Sequence, residues 1–186
     1  MIKAGSISKG MFLSIKNEPY VVVEREFVNP GKGSAFVRLK LKNLKTGLVN
    51  RQVIKSQESV EDIEVETRDA QYLYNDGNDF IFMDTETYEQ IHIPIKAMEE
   101  KMAYLKEGET FQLIIWESTP LDIKLPYKMT FKVIEAENAT KGDTVTGATK
   151  NVKIETGYTI KVPLFIKEGD TILVNTETGE YVERVN

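Results

Sequence analysis

Most of this 186-residue chain alternates apolar and polar residues with a period of two, and that period constrains its fold more than any other feature. In one run, Val37, Leu39 and Leu41 fall on one face of a strand. The other face carries the basic residues Arg38, Lys40 and Lys42. Clusters of Gly, Pro, Asn and Asp separate such runs, which is typical of short strands joined by tight turns. The sequence therefore predicts an all-β protein.

A single segment departs from this period and predicts a short helix. Pro94 suits the first position of a helix, and Gly108 suits its end. Between them, apolar residues recur at helical spacing, namely Ile95, Met98, Met102 and Leu105.

The strand patterns fall into three sets of about 60 residues, and each set is too small for one large core. We therefore predict three small β-barrel domains in series, at residues 1–63, 64–127 and 128–186. A Thr-Gly turn at residues 46–47 has a counterpart at residues 178–179. The predicted strands lie at residues 20–27, 35–44, 48–54, 71–74, 80–83, 111–116, 121–124, 129–134, 152–155, 158–162, 171–174 and 181–185.

Composition excludes several classes of function. The chain has no cysteine, which excludes disulfide scaffolds and thiolate sites, and it has one histidine. That residue, His92, lies in an alternating segment, and we interpret it as a half-exposed strand histidine without a catalytic partner. No apolar run approaches the roughly 20 residues that span a bilayer, so we expect a cytoplasmic protein with no membrane partner.

Two motifs suggest enzyme chemistry only superficially. The segment Gly31-Lys32-Gly33-Ser34 lacks the earlier glycine, the Ser or Thr directly after Gly-Lys, and the following helix of a phosphate-binding loop. The pairs Glu99-Glu100 and Asp76…Asp79 are adjacent helix positions and turn residues respectively, which do not form an acid–base pair. We predict no enzyme, no catalytic residue, no metal site and no cofactor.

The formal net charge of −5 hides an uneven distribution. Residues 1–63 carry +5, residues 64–127 carry −9 and residues 128–186 carry −1. No acidic residue occurs from Phe27 to Gln57. The basic residues of that segment are Lys32, Arg38, Lys40, Lys42, Lys45, Arg51 and Lys55. The segment predicts a positive local field that suits an RNA backbone, despite the acidic average.

Lys32 stands between two glycines in a turn that joins two predicted strands. Gly31 and Gly33 have no side chains to pack the stem of Lys32 or to pair its ammonium group, and Pro30 restricts the turn. Such a lysine suits a probe or a site of covalent modification. An ordinary turn with a solvated lysine explains the same composition, since turns favour these residues.

Several motifs, in order along the whole chain, resemble the bacterial elongation factor P family. The first is the hairpin Asn29-Pro30-Gly31-Lys32-Gly33-Ser34 with the strand that follows it. The others are Tyr72-Leu73-Tyr74-Asn75-Asp76-Gly77, Phe82-Met83, Lys141-Gly142-Asp143-Thr144, and a C-terminal set of Lys150, Gly157, Val162-Pro163, Phe165, Gly169, Gly179-Glu180-Tyr181-Val182 and Arg184-Val185.

This resemblance implies an SH3-like (KOW-type) first domain and two OB-like domains, arranged in an L that resembles tRNA, with the helical segment in the second. It implies a translation elongation factor that binds the 70S ribosome between the peptidyl-tRNA and exit sites. There it would promote peptide-bond formation on stalled, consecutive-proline sequences by positioning peptidyl-tRNA. We expect a monomer.

The resemblance also implies roles for individual residues. A lysine-modifying enzyme would extend the Lys32 side chain covalently, and no cofactor is expected besides this modification. The residues implied in contact with peptidyl-tRNA or rRNA are Gly31, Lys32, Gly33, Arg38, Lys40 and Lys42. Those implied near the exit site and its mRNA are Gly142, Asp143 and Thr144, and the C-terminal RNA contacts are Tyr181 and Arg184.

Two other functions stay open. One is a paralogue of the same factor, although the intact Pro30-Gly31-Lys32-Gly33 and Gly142-Asp143-Thr144 favour the factor itself. The other is a protein-binding scaffold or nucleic-acid mimic built on the acidic residues 64–127.

Overall fold

The computed structural model describes residues 1–138 and 147–186. These residues form three antiparallel sheets, which confirms the all-β class predicted from the period of two. None of the helical segments within these two ranges is long and apolar enough to cross a membrane.

The chain divides into two compact units. One unit consists of residues 1–99 and 110–124, and the other of residues 100–109 and 125–186. The first unit contains two of the sheets and the second unit contains the third.

The first sheet has six strands in the order β1-β6-β2-β3-β4-β5. Its strands are β1 (Ile2–Lys3), β2 (Phe12–Ile15), β3 (Glu18–Val28), β4 (Phe36–Asn43), β5 (Val49–Lys55) and β6 (Ser59–Asp62), with a 3-10 turn at Ala4–Ser6. Val37, Leu39 and Leu41 on β4 are buried, as the alternation predicted. They form one core with Ala4, Ile7, Leu13, Val22 and Val60.

The second sheet has five strands in the order β11-β10-β7-β8-β9. Its strands are β7 (Glu66–Asn75), β8 (Asp79–Asp84), β9 (Gln90–Pro94), β10 (Thr110–Trp116) and β11 (Thr119–Lys124). Aromatic rings fill its core, and Phe82 lies 5.4 Å from Tyr72 and 6.4 Å from Phe111 between ring centres.

The predicted helix after Pro94 is helical, but it consists of two 3-10 pieces rather than one α-helix. The pieces are Ile95–Ala97 and Glu99–Tyr104, and Met98 between them leaves helical geometry at φ −147° and ψ 42°. The break buries Met98 completely, whereas Met102 is 39% exposed. Burial of one side chain thus overrides the helical repeat read from the sequence.

The third sheet has five strands in the order β14-β13-β12-β15-β16. Its strands are β12 (Lys128–Ala136), β13 (Thr149–Ile154), β14 (Thr159–Pro163), β15 (Thr171–Asn175) and β16 (Tyr181–Arg184). Residues 100–109 pack in the same unit, where the hydroxyl of Thr156 donates to the carbonyl of Ala103 at 2.8 Å and the Tyr104 ring lies 6.2 Å from Phe131.

One turn recurs in all three sheets and extends the Thr-Gly similarity noticed in the sequence. In each copy the side-chain oxygen of the first residue accepts two backbone N–H groups, and the fifth residue has a positive φ between 60° and 77°. The turns run from Asn43 to Gly47, from Asp84 to Tyr88 and from Asn175 to Gly179.

The first of these turns also contacts the second sheet within the same unit. A Cβ added to Gly47 would overlap the carbonyl oxygen of Lys96 and lie 3.8 Å from the Cα of Ala97. Beside it, the ammonium group of Lys45 lies 6.0 Å from the centre of the Trp116 ring. Glycine at position 47 therefore permits a close approach of two backbones.

Candidate nucleic-acid interface

The hairpin of β3 and β4 carries Lys32 at its end. The two strands pair as far as Val28 and Phe36, and residues 29–35 form the tip beyond this last pair. Gly31, Lys32 and Gly33 are exposed, and a Cβ added to either glycine would meet no atom within 4 Å. Throughout residues 1–138 and 147–186, nothing forms a hydrogen bond or an ion pair with the Lys32 side chain. Its full length is available for a partner.

The arm below the tip is held on its inner face by Arg25 and Phe27. The Arg25 guanidinium donates to the carbonyl of Gly5 at 2.9 Å and lies 5.6 Å from the centre of the Phe27 ring. The Phe27 ring in turn lies 3.7 Å from the position of a Cβ on Gly5. These contacts fix the arm against the Ala4–Ser6 turn, so that Lys32 extends from a supported hairpin.

The outer face of β4 carries the three basic residues that the sequence predicted to face away from the core. Arg38 is exposed, and Lys40 and Lys42 are half-buried. On β5, Arg51 lies directly opposite Lys40 and Val53 lies opposite Arg38. Arg51 thus joins the basic row, although its position across from β4 was not visible without the strand register.

Two carboxylates on β3 pair with this row, although both precede the basic segment in the sequence. Lys40 Nζ lies 3.0 Å from Glu24 Oε1, and Arg38 Nη1 lies 3.4 Å from Glu26 Oε2. The pKa of Glu24 is lowered, first by the hydrogen bond from Lys40 and then by the charges of Lys40, Arg51 and Lys9. The field of this face is therefore less positive than residues 27–57 alone predicted. The alternation in Glu24-Arg25-Glu26 puts both carboxylates on one face of β3, and a predicted β3–β4 hairpin would have placed them across from the basic residues of β4.

The predicted C-terminal contacts lie on β16 at the edge of the third sheet. The Arg184 guanidinium lies 5.3 Å from the centre of the Phe165 ring, which is 53% exposed, and 3.9 Å from Asp170 Oδ2. The backbone N–H of Lys167 lowers the pKa of Asp170 most, and the Asn186 amide and the Arg184 charge lower it further. Arg184 and Phe165 thus form an exposed cation–aromatic pair.

Tyr181 and the third-domain loop complete the predicted set. Tyr181 is half-buried and pairs with Val174 on the neighbouring strand. Gly142, Asp143 and Thr144 lie outside the residues that the structure describes.

One group of side chains could hold a metal ion among the residues described. Ligand atoms of Asp76, Asp79 and His92 lie within 4.8 Å of one another, and His92 Nδ1 lies 3.6 Å from Asp79 Oδ2. The Asp76 carboxylate already accepts the backbone N–H groups of Asn78 and Asp79 at 2.9 and 2.7 Å. His92 lies on β9 with 52% of its side chain exposed, as its alternating neighbours predicted. We assign no metal to this group.

Three family models together match nearly the whole chain. They are the elongation factor P KOW-like domain at residues 3–60, the elongation factor P OB domain at residues 65–123, and the elongation factor P C-terminal domain at residues 129–184.

Curated relatives match at full length. The elongation factor P of Treponema denticola is 55% identical over 186 residues, and that of Treponema pallidum (strain Nichols) is 52% identical, each covering 100% of both chains. The elongation factor P of Borrelia hermsii is 50% identical and covers 99% of this chain and 97% of its own.

A solved structure supports the same relationship. Eukaryotic translation initiation factor 5A from Methanococcus jannaschii is similar at a TM-score of 0.51 and 25% identity, over 66% of this chain and 90% of that one. With the three domain matches and the full-length relatives, this identifies the chain as a member of the elongation factor P family, which comprises translation factors and not enzymes.

Proposed function

We propose that this translation elongation factor binds the 70S ribosome between the peptidyl-tRNA and exit sites and promotes peptide-bond formation at consecutive prolines. The observation that carries the proposal is the isolation of Lys32 at the end of a supported hairpin. Its side chain has no partner among the described residues, and its two glycine neighbours leave the surrounding space open. A long cation held in this way suits a probe that extends toward the end of peptidyl-tRNA.

The contribution of the factor is positional. Prolyl-tRNA reacts poorly, and holding it in an attack-ready geometry removes an entropic part of the barrier without any acid or base from the protein. This agrees with a tip that carries one lysine and no second titratable group. We propose that a lysine-modifying enzyme extends Lys32 covalently, which would lengthen its reach, and that no other cofactor takes part.

The other predicted contacts complete the proposal. Arg38, Lys40 and Lys42 would bind phosphates of peptidyl-tRNA or rRNA, which needs no reading of bases. The Gly142-Asp143-Thr144 loop would lie at the exit-site region and its mRNA, and Tyr181 and Arg184 would add RNA contacts at the C-terminal end. We propose that the protein acts as a monomer in the cytoplasm, where translating ribosomes are found.

Reconstituted translation of a consecutive-proline message tests the role of Lys32, with factor isolated from its native host. Lys32→Ala should abolish the acceleration at prolines, leave ordinary codons unaffected, and change the free energy of unfolding by no more than ~0.5 kcal/mol. Lys32→Arg should also fail, because it keeps the charge but blocks lysine-specific modification.

Lys124→Ala is the matched control, since Lys124 is an exposed lysine at the end of β11. It should retain full activity. Full activity of Lys32→Ala would refute the assignment, and full activity of Lys32→Arg would show that charge alone suffices without modification.

A further inference from the structure

On the outer face of β3, β4 and β5, charged side chains lie opposite one another across the strands. Carboxylates on β3 face cations on β4, and one cation on β4 faces a cation on β5. In one row, Glu24 on β3 lies opposite Lys40 on β4, which lies opposite Arg51 on β5. In the next row, Glu26 lies opposite Arg38. These side chains also line one open groove on this face. The carboxylates thus lie on the same surface that would bind phosphates.

Glu24 has several cations around it. Its carboxylate accepts a hydrogen bond from Lys40 at 3.0 Å, and the charges of Arg51 and Lys9 act on it as well. Lys40 and Arg51 are like charges directly opposite each other on neighbouring strands, an arrangement that is destabilising without a counter-charge. Glu24 therefore cancels one of the two positive charges of the row in the free protein.

We propose that Glu24 and Glu26 set how strongly this face binds RNA, because they hold Lys40 and Arg38 in intramolecular ion pairs that a phosphate must displace. The inference rests on the proposed binding of phosphates by Arg38, Lys40 and Lys42. Phosphate contacts dominate non-specific binding to RNA, so a competing carboxylate lowers the affinity for RNA in general. Both carboxylates and Arg38 are exposed, and Lys40 is half-buried. Ion pairs that reach the solvent in this way are weak enough for a well-placed phosphate to replace them.

The test is the double variant Glu24→Gln/Glu26→Gln, which keeps the size of both side chains and removes their charge. Binding to purified ribosomes and to free tRNA is measured at several salt concentrations. The variant should bind both more tightly at low salt, by roughly three- to twentyfold for two released pairs. The dependence of log affinity on log salt should steepen by about one to two, because the loss of two carboxylates raises the net positive charge of the binding face by two. Loss of stability would weaken binding and would not steepen this slope.

The matched control is Glu58→Gln/Glu61→Gln. It changes the formal net charge from −5 to −3, as the test variant does. Both residues are exposed; Glu61 lies on β6 of the same sheet and Glu58 directly precedes that strand. In the part of the chain that the structure describes, neither forms an ion pair with a Lys or Arg side chain. Its affinity should change by less than about twofold, since only the distant field is altered.

A second arm separates this inference from the proposed function. Reversing the charges of Arg38, Lys40 and Lys42 should weaken ribosome binding and flatten the salt dependence. If that variant binds as the wild type does, the phosphate contacts and the inference both fail. If it weakens binding while Glu24→Gln/Glu26→Gln leaves affinity and slope unchanged or reduced, the proposed interface stands and the inference is wrong. An equal gain in the Glu58→Gln/Glu61→Gln control would also overturn it.

Discussion

Replacing Gly47 by alanine tests whether the turn after β4 is a close-packed contact between the first two sheets. Gly47 has φ +74°, and its added Cβ would overlap the Lys96 carbonyl oxygen. A backbone oxygen cannot rotate away as a side chain can, so either the turn or the 3-10 segment at Ile95–Ala97 must move.

The loss of stability in Gly47→Ala has two parts, and the same substitution at Gly10 separates them. The left-handed backbone destabilises an alanine by roughly 1–2 kcal/mol. The lower conformational entropy of the unfolded chain offsets about 0.4–1 kcal/mol of this loss. Overpacking against the carbonyl adds roughly 1–3 kcal/mol at Gly47. Gly10 has φ +88° with nothing within 4 Å of its added Cβ, so Gly10→Ala carries only the backbone part. Gly47→Ala should therefore be the more destabilising by about 1–3 kcal/mol.

The assay uses the only tryptophan of the chain. Because the Trp116 ring lies 6.0 Å from the Lys45 ammonium group, its fluorescence reports directly on the contact beside Gly47. Urea unfolding followed at Trp116 should show the larger loss of stability for Gly47→Ala, together with a shifted emission spectrum in the native state. Equal losses for the two variants, with an unchanged native spectrum, would refute close packing at Gly47.

Two further predictions concern single carboxylates. Asp143→Ala should impair rescue of ribosomes stalled at prolines while leaving the melting temperature nearly unchanged, and normal rescue would remove the loop from the proposed exit-site contact. The backbone N–H groups of Thr87 and Glu86 lower the pKa of Asp84, in that order, so its contribution to stability is present above its unfolded pKa of about 4 and is lost as the pH falls through its folded value. Asp84→Asn keeps the side-chain acceptor that Asn43 and Asn175 supply in the matching turns but removes the negative charge. The variant should therefore have a lower melting temperature than the wild type at pH 7, and the difference should narrow in acid, where Asp84 becomes protonated. A margin that stays constant from pH 7 to pH 3 would contradict this.

The sequence alone determined most of the strands, the turns between them and the position of Lys32 between two glycines, whereas β1, β2 and β6 were not predicted. A period of two is a local property of extended backbone, so Val37, Leu39 and Leu41 could be assigned to the core without knowing what they pack against. The two glycines around Lys32 act through their missing side chains, which is also visible in sequence. The motifs of the translation factor family are also segments of sequence, so the family could be identified without the tertiary structure.

Only the tertiary structure decided the contacts that depend on strand register and burial. Glu24 and Glu26 lie before the basic segment in sequence, yet β3–β4 pairing puts them beside Lys40 and Arg38 and reduces the field expected there. Burial of Met98 broke the expected helix into two 3-10 pieces, because a buried side chain outweighs a local helical preference. Gly47 appeared in the sequence as an ordinary turn glycine, and its close approach to Lys96 arises only where two sheets meet, because such a contact joins residues that no local pattern relates.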